Sequence, residues 1–227
     1  MTHQPSAIGQ ATLDWDTIDD VLLDMDGTLL DRHFDNFFFE EELPARYAAR
    51  HGLAFEEALD RLMALYRSVE TELAWTDLHY WSRLLDMDLV ALTKEFDDLI
   101  DFLPDAVEFL AFLRARGKRV HIVTNAHESG IGIKVAKTGL DRHVHRIVNA
   151  FEVGYLKMRP EYWPRCRAIV GFDPARALYI DDDESCLDAA RTFGIGHLFH
   201  RAMSSSTRPP RPSARHRSIQ TFAALMR

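Results

Sequence analysis

The stretch Val21-Leu22-Leu23-Asp24-Met25-Asp26-Gly27-Thr28-Leu29-Leu30 decides how this chain is read. Three apolar residues form a short strand that runs into two carboxylates one residue apart and then a glycine. In extended backbone, residues i and i+2 point the same way, so Asp24 and Asp26 leave the strand end on one side. Gly27 permits the sharp turn that follows. Two acids this close repel each other unless a hard cation such as Mg²⁺, which takes oxygen ligands, shares them. One acid can then act as nucleophile while its neighbour carries protons. The same residues also fit a plain strand followed by an Asp-Gly turn, so the choice falls to the rest of the chain.

Working outward, two more strand-like runs end in polar clusters. Val120-His121-Ile122-Val123 leads into Thr124-Asn125, and Ala177-Leu178-Tyr179-Ile180 leads into Asp181-Asp182-Asp183. These runs alternate with helical patterns, which predicts an α/β fold of βαβ units around a parallel sheet. The carboxyl ends of such strands form the ligand crevice, so the three polar clusters are expected at one edge. Residues 146–149 and 196–199 fit the remaining strands. Pro104-Asp105 opens a helix running to Arg116, with Val107, Leu110 and Leu113 on one face and Gly117 as its stop. Ser185 to Phe193 reads as another helix, ended by Gly194.

Residues 34–101 carry no strand-like run. Leu59, Leu62, Met63 and Tyr66 repeat at helical spacing, as do Leu78, Trp81, Leu84 and Leu85. We read a helical bundle inserted between the first two strand motifs, leaving residues 1–33 and 102–227 as the core domain. One more layer of that core is the alternative. The aromatics Phe37, Phe38, Phe39, Trp75, Tyr80 and Trp81 fit either a stacking surface or the bundle interior. Residues 204–212, rich in Ser, Pro and Arg, are expected to form a mobile loop before a last helix over about 216–225.

Composition sets limits. The chain has 227 residues, is 47% hydrophobic and has a net charge of −8, which suits one domain with a sizeable insertion or two small ones. An acidic protein gains nothing from phosphate-neutralising contacts along a polymer, so DNA and RNA are not expected partners. A small phosphorylated metabolite is compatible, because a metal and a few local cations can handle it. Two cysteines without paired spacing, Cys166 and Cys186, fit a reducing cytoplasm. No signal peptide or membrane span is visible, and the sequence leaves open whether the protein is a monomer or a homodimer. Eleven histidines without ligand-like spacing give no case for zinc.

Asp24-Met25-Asp26-Gly27-Thr28-Leu29 resembles the first motif of the haloacid dehalogenase (HAD) superfamily, and the partner motifs follow in order. Thr124-Asn125 looks like the second, Lys157 in Gly154-Tyr155-Leu156-Lys157 like the third, and Asp181-Asp182-Asp183 ahead of Ala189-Ala190 like the fourth. The resemblance implies a Rossmann-like doubly wound parallel sheet with a C1 cap at the insertion. It implies that Asp24 attacks phosphorus and carries an aspartyl-phosphate, that Asp26 is the acid and then the base, and that Thr124 and Lys157 hold the phosphoryl oxygens. Mg²⁺ would be held by Asp24, the backbone carbonyl of Asp26, and Asp182. Asp181 is expected to share metal or lysine-orienting duty, because Cys186 stands where relatives often carry an acid. Asp183 reads as a helix cap. Met158 follows Lys157 where relatives often have proline.

An acid at position 26 implies an oxygen leaving group, since a halide leaves without a proton. Segments Val21–Asp31, Phe34–Asn36, Tyr80–Ser82, Thr124–His127 and Ile180–Asp182 look similar to bacterial GMP/IMP 5′-nucleotidases of the superfamily. The substrate implied is a purine mononucleotide, with Asn125, Asp35, Asn36 and His127 as candidate substrate contacts. For Asp35 and Asn36 the alternative is helix capping, and for His127 a surface position. The competing functions are a phosphatase for phosphoglycolate or a sugar phosphate, a phosphomutase, and a catalytically silent HAD-fold binding protein.

Overall fold

The computed structural model describes residues 13–227. Its six-stranded sheet is wholly parallel, in the order β3-β2-β1-β4-β5-β6. The strands are β1 (Asp20–Leu23), β2 (Arg119–Thr124), β3 (Arg146–Asn149), β4 (Ala177–Asp181), β5 (His197–Arg201) and β6 (Ser218–Ile219). This is the α/β Rossmann-like sheet expected from the sequence. Strand order reverses at β1, so β2 and β4 flank it on either side. The crevice opens where the chain leaves these three strands.

The strands read as continuous apolar runs because both faces are covered. Val21 and Leu23 of β1 and Leu178 and Ile180 of β4 face one layer, with Phe109, Leu110 and Leu113 of helix Ala106–Ala115 packed on them. Leu22, Ala177 and Tyr179 face the other, against Trp163 and Cys166 of helix Tyr162–Val170 and Leu187 and Ala190 of helix Glu184–Phe193. Val107 does not join the inner face as expected. It is exposed, and Phe109 fills the position.

In chain order the helices are α1 (His33–Phe37), continued by a π-helical turn over Phe38–Glu42, α2 (Leu43–His51), α3 (Phe55–Val69), α4 (Leu78–Leu85), α5 (Leu89–Lys94), α6 (Ala106–Ala115), α7 (Glu128–Thr138), α8 (Ala150–Val153), α9 (Tyr162–Val170) and α10 (Glu184–Phe193). Helices α1 to α5 enclose an apolar cluster of their own around Phe38, Leu62, Tyr66, Trp81 and Leu89, and Ile133 of α7 packs against it. Leu84, expected in that cluster, is exposed. The two chain segments joining these helices to the sheet run side by side. Leu30 bridges Phe102, Asp31 N–H donates to Asp101 O at 2.9 Å, and Leu103 N–H donates to Leu29 O at 2.8 Å.

Two expectations for the C-terminal region are overturned. Residues 216–225 do not form a helix. Ser218–Ile219 adds the sixth strand to the open edge of β5, and Phe222 starts a 3₁₀ turn whose ring stacks on Phe109 at 4.3 Å between centroids. The edge backbone groups of β5 needed partners, and strand pairing supplies them. Residues 204–208 are not a free loop. Ser204 O accepts from Arg32 N–H at 3.1 Å, Ser206 N–H donates to the Asp31 carboxylate at 3.1 Å, and Arg208 pairs with Glu40 at 2.6 Å.

Candidate active site

Asp24 follows β1 directly, and its N–H donates to Ile180 O of β4 at 3.0 Å, continuing the ladder past the end of the strand. The chain then turns at Gly27, which has φ +85°. A Cβ at this position would collide with the Asp182 carboxylate and come within 2.6 Å of Arg32 Cδ. Glycine is required here twice, once for the left-handed backbone and once for the close approach.

Lys157 is the centre of the site. Its Nζ donates to Asp24 Oδ1 at 2.5 Å and Asp181 Oδ2 at 2.7 Å, with all three groups buried. Burial opposes the ammonium charge, but Asp181 and Asp24 outweigh it and hold the Lys157 pKa well above its usual value. Asp181 is fully engaged, since Oδ2 also accepts from the Tyr179 hydroxyl and Oδ1 from Asp183 N–H at 2.7 Å. Burial pushes the Asp24 pKa well up, and the Asp181 and Asp182 charges push it in the same direction against Lys157.

One oxygen from each of Asp24, Asp181 and Asp182 falls within 4.8 Å of the others. Three carboxyl groups converge here beside Lys157 and Arg32, an oxygen donor set that a hard divalent cation fits. Asp182 is held by Arg32 Nη1 at 2.9 Å. Desolvation raises its pKa to about 6, with the Asp181 charge adding to the rise and Arg32 opposing it. Asp183 behaves otherwise. Its Oδ1 accepts from Ser185 N–H at 2.7 Å, capping α10.

Thr124 ends β2 with its side chain buried, and its Oγ1 accepts from Ala126 N–H at 3.1 Å. The hydroxyl hydrogen stays available to donate to an oxygen in the crevice. Asn125 Oδ1 accepts from the backbone N–H of Lys157 at 2.8 Å, fixing the loop that carries the lysine. Asn125 O accepts from the Thr76 hydroxyl at 2.6 Å, a contact from the helical insertion.

These groups open into a cavity of about 240 Å³ between the sheet edge and helices α1 to α5. Asp24, Asp26, Thr124, Lys157, Asp181 and Asp182 line one side, and Phe34, Phe39, Tyr66, Trp75 and Trp81 line the other. Asn125, Asp35 and His127 also reach it. Asn36 is not among its lining residues. His127 caps α7 and packs edge-on against Phe151 at 4.5 Å. Among the aromatics singled out in the sequence, Phe38 is buried in the bundle, Phe37 packs on Phe96, and Tyr80 packs on Trp81.

Two charged residues in the cavity wall carry no motif in the sequence. Arg32 is one, paired with Asp182. The other is Lys134 of α7, whose Nζ lies 2.7 Å from Asp26 Oδ1 and 2.8 Å from Asp35 Oδ1. The Asp26 carboxylate thus turns to Lys134 rather than joining the Asp24–Asp181–Asp182 cluster. Burial opposes the Lys134 charge, but Asp26 and Asp35 outweigh it and hold its pKa above the usual lysine value. The one available signal was a lysine placed one turn after Gly130, between Ile133 and Val135, and a solvated surface lysine gives the same pattern.

The fold and the cluster belong to a known class. The haloacid dehalogenase-like hydrolase family matches residues 18–194. Over 212 residues, 93% of this chain and 96% of the other, the sequence is 35% identical to the GMP/IMP nucleotidase YrfG of Escherichia coli. It is 25% identical to the phosphoglycolate phosphatase of Mesorhizobium japonicum over 77% of this chain and 79% of the other. The crystal structure of a HAD phosphatase from Thermococcus onnurineus superposes with a TM-score of 0.74 at 21% identity, covering 91% of this chain and 95% of that one. The chain belongs to the haloacid dehalogenase-like hydrolases and is an enzyme of the phosphatase kind. No helix among the described residues is long and apolar enough to cross a membrane.

Proposed function

We propose that the chain is a Mg²⁺-dependent phosphomonoester hydrolase that works through an aspartyl-phosphate on Asp24, with purine 5′-mononucleotides of the GMP and IMP kind as substrates. The observation that carries the reading is the Asp24–Lys157–Asp181 bridge, which opens into a cavity walled by aromatic side chains on its other side. In the first half-reaction an Asp24 oxygen bonds to phosphorus as the ester bond breaks, and Asp26 gives its proton to the departing oxygen. In the second half-reaction Asp26 takes a proton from water, the water oxygen bonds to phosphorus, and Asp24 leaves as a free carboxylate. Lys157 and the Thr124 hydroxyl bind the phosphoryl oxygens throughout, in a dry site where each donor counts for more than it would in water. Asp24, Asp182 and the carbonyl of Asp26, with Asp181 beside them, would hold Mg²⁺, which supplies charge neutralisation at the phosphoryl oxygens.

In this reading residues 34–101 are the cap, and specificity resides there because the phosphoryl site touches only what all phosphomonoesters share. Phe39, Trp75 and Trp81 give the flat base of a purine an apolar surface that phosphoglycolate cannot use. The similarity to the Escherichia coli nucleotidase supports the same choice, and the two buried free cysteines fit a cytoplasmic enzyme. A substrate panel with Mg²⁺ tests it. GMP and IMP are expected to give higher kcat/KM than pyrimidine nucleotides, phosphoglycolate and sugar phosphates, with Trp75→Ala narrowing the gap. A panel led by phosphoglycolate or a sugar phosphate would reject the purine assignment and keep the phosphatase mechanism.

A further inference from the structure

Lys134 is buried on α7, directly between Ile133 and Val135 and one turn after Ile131, where a hydrophobic residue would pack at no electrostatic cost. Both of its carboxylate partners lie in the cavity wall and neither is near it in sequence. Asp26 Oδ1, 2.7 Å away, belongs to the turn after β1, and Asp35 Oδ1 and Oδ2, at 2.8 and 3.0 Å, belong to α1 of the helical insertion. The Phe34 ring centre lies 5.5 Å from the same nitrogen. The ammonium therefore joins the insertion to the core at the one carboxylate assigned to proton transfer. Asp26 itself keeps a side-chain exposure of 23%, the route by which a leaving oxygen meets it.

Resting on the phosphatase reading above, we propose that Lys134 is a positioning residue. It holds Asp26 aimed at the leaving oxygen, and Asp35 is its second anchor, so the acid is in position only while the cap sits over the core. A buried ammonium shared between two carboxylates has one favourable location, and each partner fixes it for the other. When α1 moves away with the cap, Lys134 loses one anchor and Asp26 gains rotational freedom. Acid catalysis is then tied to cap closure, and Asp24 and Lys157 are left untouched.

The effect of the leaving group separates this role from a structural one. An alkyl phosphate needs the proton from Asp26, whereas p-nitrophenyl phosphate leaves with little help. Lys134→Met is expected to lower kcat/KM for GMP, or for whichever alkyl phosphate the wild type prefers, by about 100-fold. For p-nitrophenyl phosphate the loss should be at least tenfold smaller. Lys134→Arg should recover most of the loss, and the Asp26→Asn/Lys134→Met double variant should be no worse than Asp26→Asn, because both changes remove one function. Asp35→Asn leaves the Lys134–Asp26 pair in place and should show the same leaving-group bias at about tenfold, which keeps the test open if Lys134→Met does not fold. Equal losses on both substrates, or effects that multiply in the double variant, would overturn the proposal. An Asp26→Asn variant with no leaving-group bias would overturn both this proposal and the acid assignment, whatever the preferred substrate.

Discussion

Arg32 Nη1 stands 2.9 Å from Asp182 Oδ2, so the residue just before the helical insertion begins is tied to the carboxylate after β4, 150 positions later. The guanidinium is half-exposed, whereas the carboxylate is nearly closed off. Arg32 N–H also donates to Ser204 O, and Ser206 N–H reaches Asp31. The first connection to the insertion is thereby held between the acidic cluster and the C-terminal region.

On the proposed reading, a cation held at Asp182 would share that carboxylate with Arg32. Removing the arginine takes one positive charge from the edge of the acidic cluster, and at the effective dielectric of a protein surface that is worth about 1.4 kcal/mol or more. Arg32→Ala is expected to bind Mg²⁺ about tenfold more tightly by calorimetric titration of the metal-free protein. Weaker binding would mean that Arg32 holds Asp182 in its ligating position instead of competing for it.

Asp24→Asn should leave less than about one thousandth of wild-type turnover, since an amide does not form the acyl-phosphate. The fold should persist. Burial and the neighbouring acids already disfavour the charged form of Asp24, so the metal-free variant is expected to melt no lower than wild type while losing most of the stabilisation given by Mg²⁺. Residual turnover above a few per cent would reject Asp24 as nucleophile.

Asp182 and Asp183 are adjacent and should separate cleanly. Asp182→Ala is expected to weaken Mg²⁺ binding with little change in metal-free stability. Asp183→Ala removes the cap of α10 and should cost about 1 kcal/mol of stability with nearly normal Mg²⁺ affinity. Magnesium titrations and melting curves of both variants decide the matter, and the reverse pattern would exchange the two roles.

Glu184 accepts from the Ser213 hydroxyl and pairs with Arg215 at 2.7 Å, pinning residues 213–216 to α10. The Ser213 hydrogen bond, followed by Arg215, brings its carboxyl down from about 4.5 to about 2. A lowered folded-state pKa contributes stability above the unfolded value and loses it as pH falls through the folded one. The melting-temperature gap between wild type and Glu184→Gln should be constant above about pH 5 and close between about pH 4.5 and 2. A gap of the same size at pH 7 and pH 3 would show that the carboxylate charge is not what matters there.

Much of this arrangement was legible in the sequence, for identifiable reasons. Parallel strands covered on both faces are continuous apolar runs, so β1, β2 and β4 stood out. The polar residues ending each run then marked the crevice, because all strands of a parallel sheet end on the same side. Asp24, Thr124, Lys157 and Asp182 meet there, and Asp183 caps its helix as its position ahead of Ser185 suggested. In the C-terminal region Ile219, Phe222 and Leu225 repeat at a helical interval without forming an α-helix. The open edge of β5 and the ring of Phe109 used those side chains in a strand and a 3₁₀ turn instead.

The sequence by itself determined which groups gather at the strand ends, since that depends on local runs of residues and on the one-sided geometry of a parallel sheet. Only the tertiary structure decided the partners of those groups. Lys134 meets Asp26 and Asp35 from 108 and 99 residues away, and Arg32 meets Asp182 from 150. A lone charged residue on a helix or in a turn looks the same in sequence whether water or a buried carboxylate receives it. The difference lies in the desolvation that packing imposes, which makes an ion pair obligatory in the cavity wall and optional on the surface.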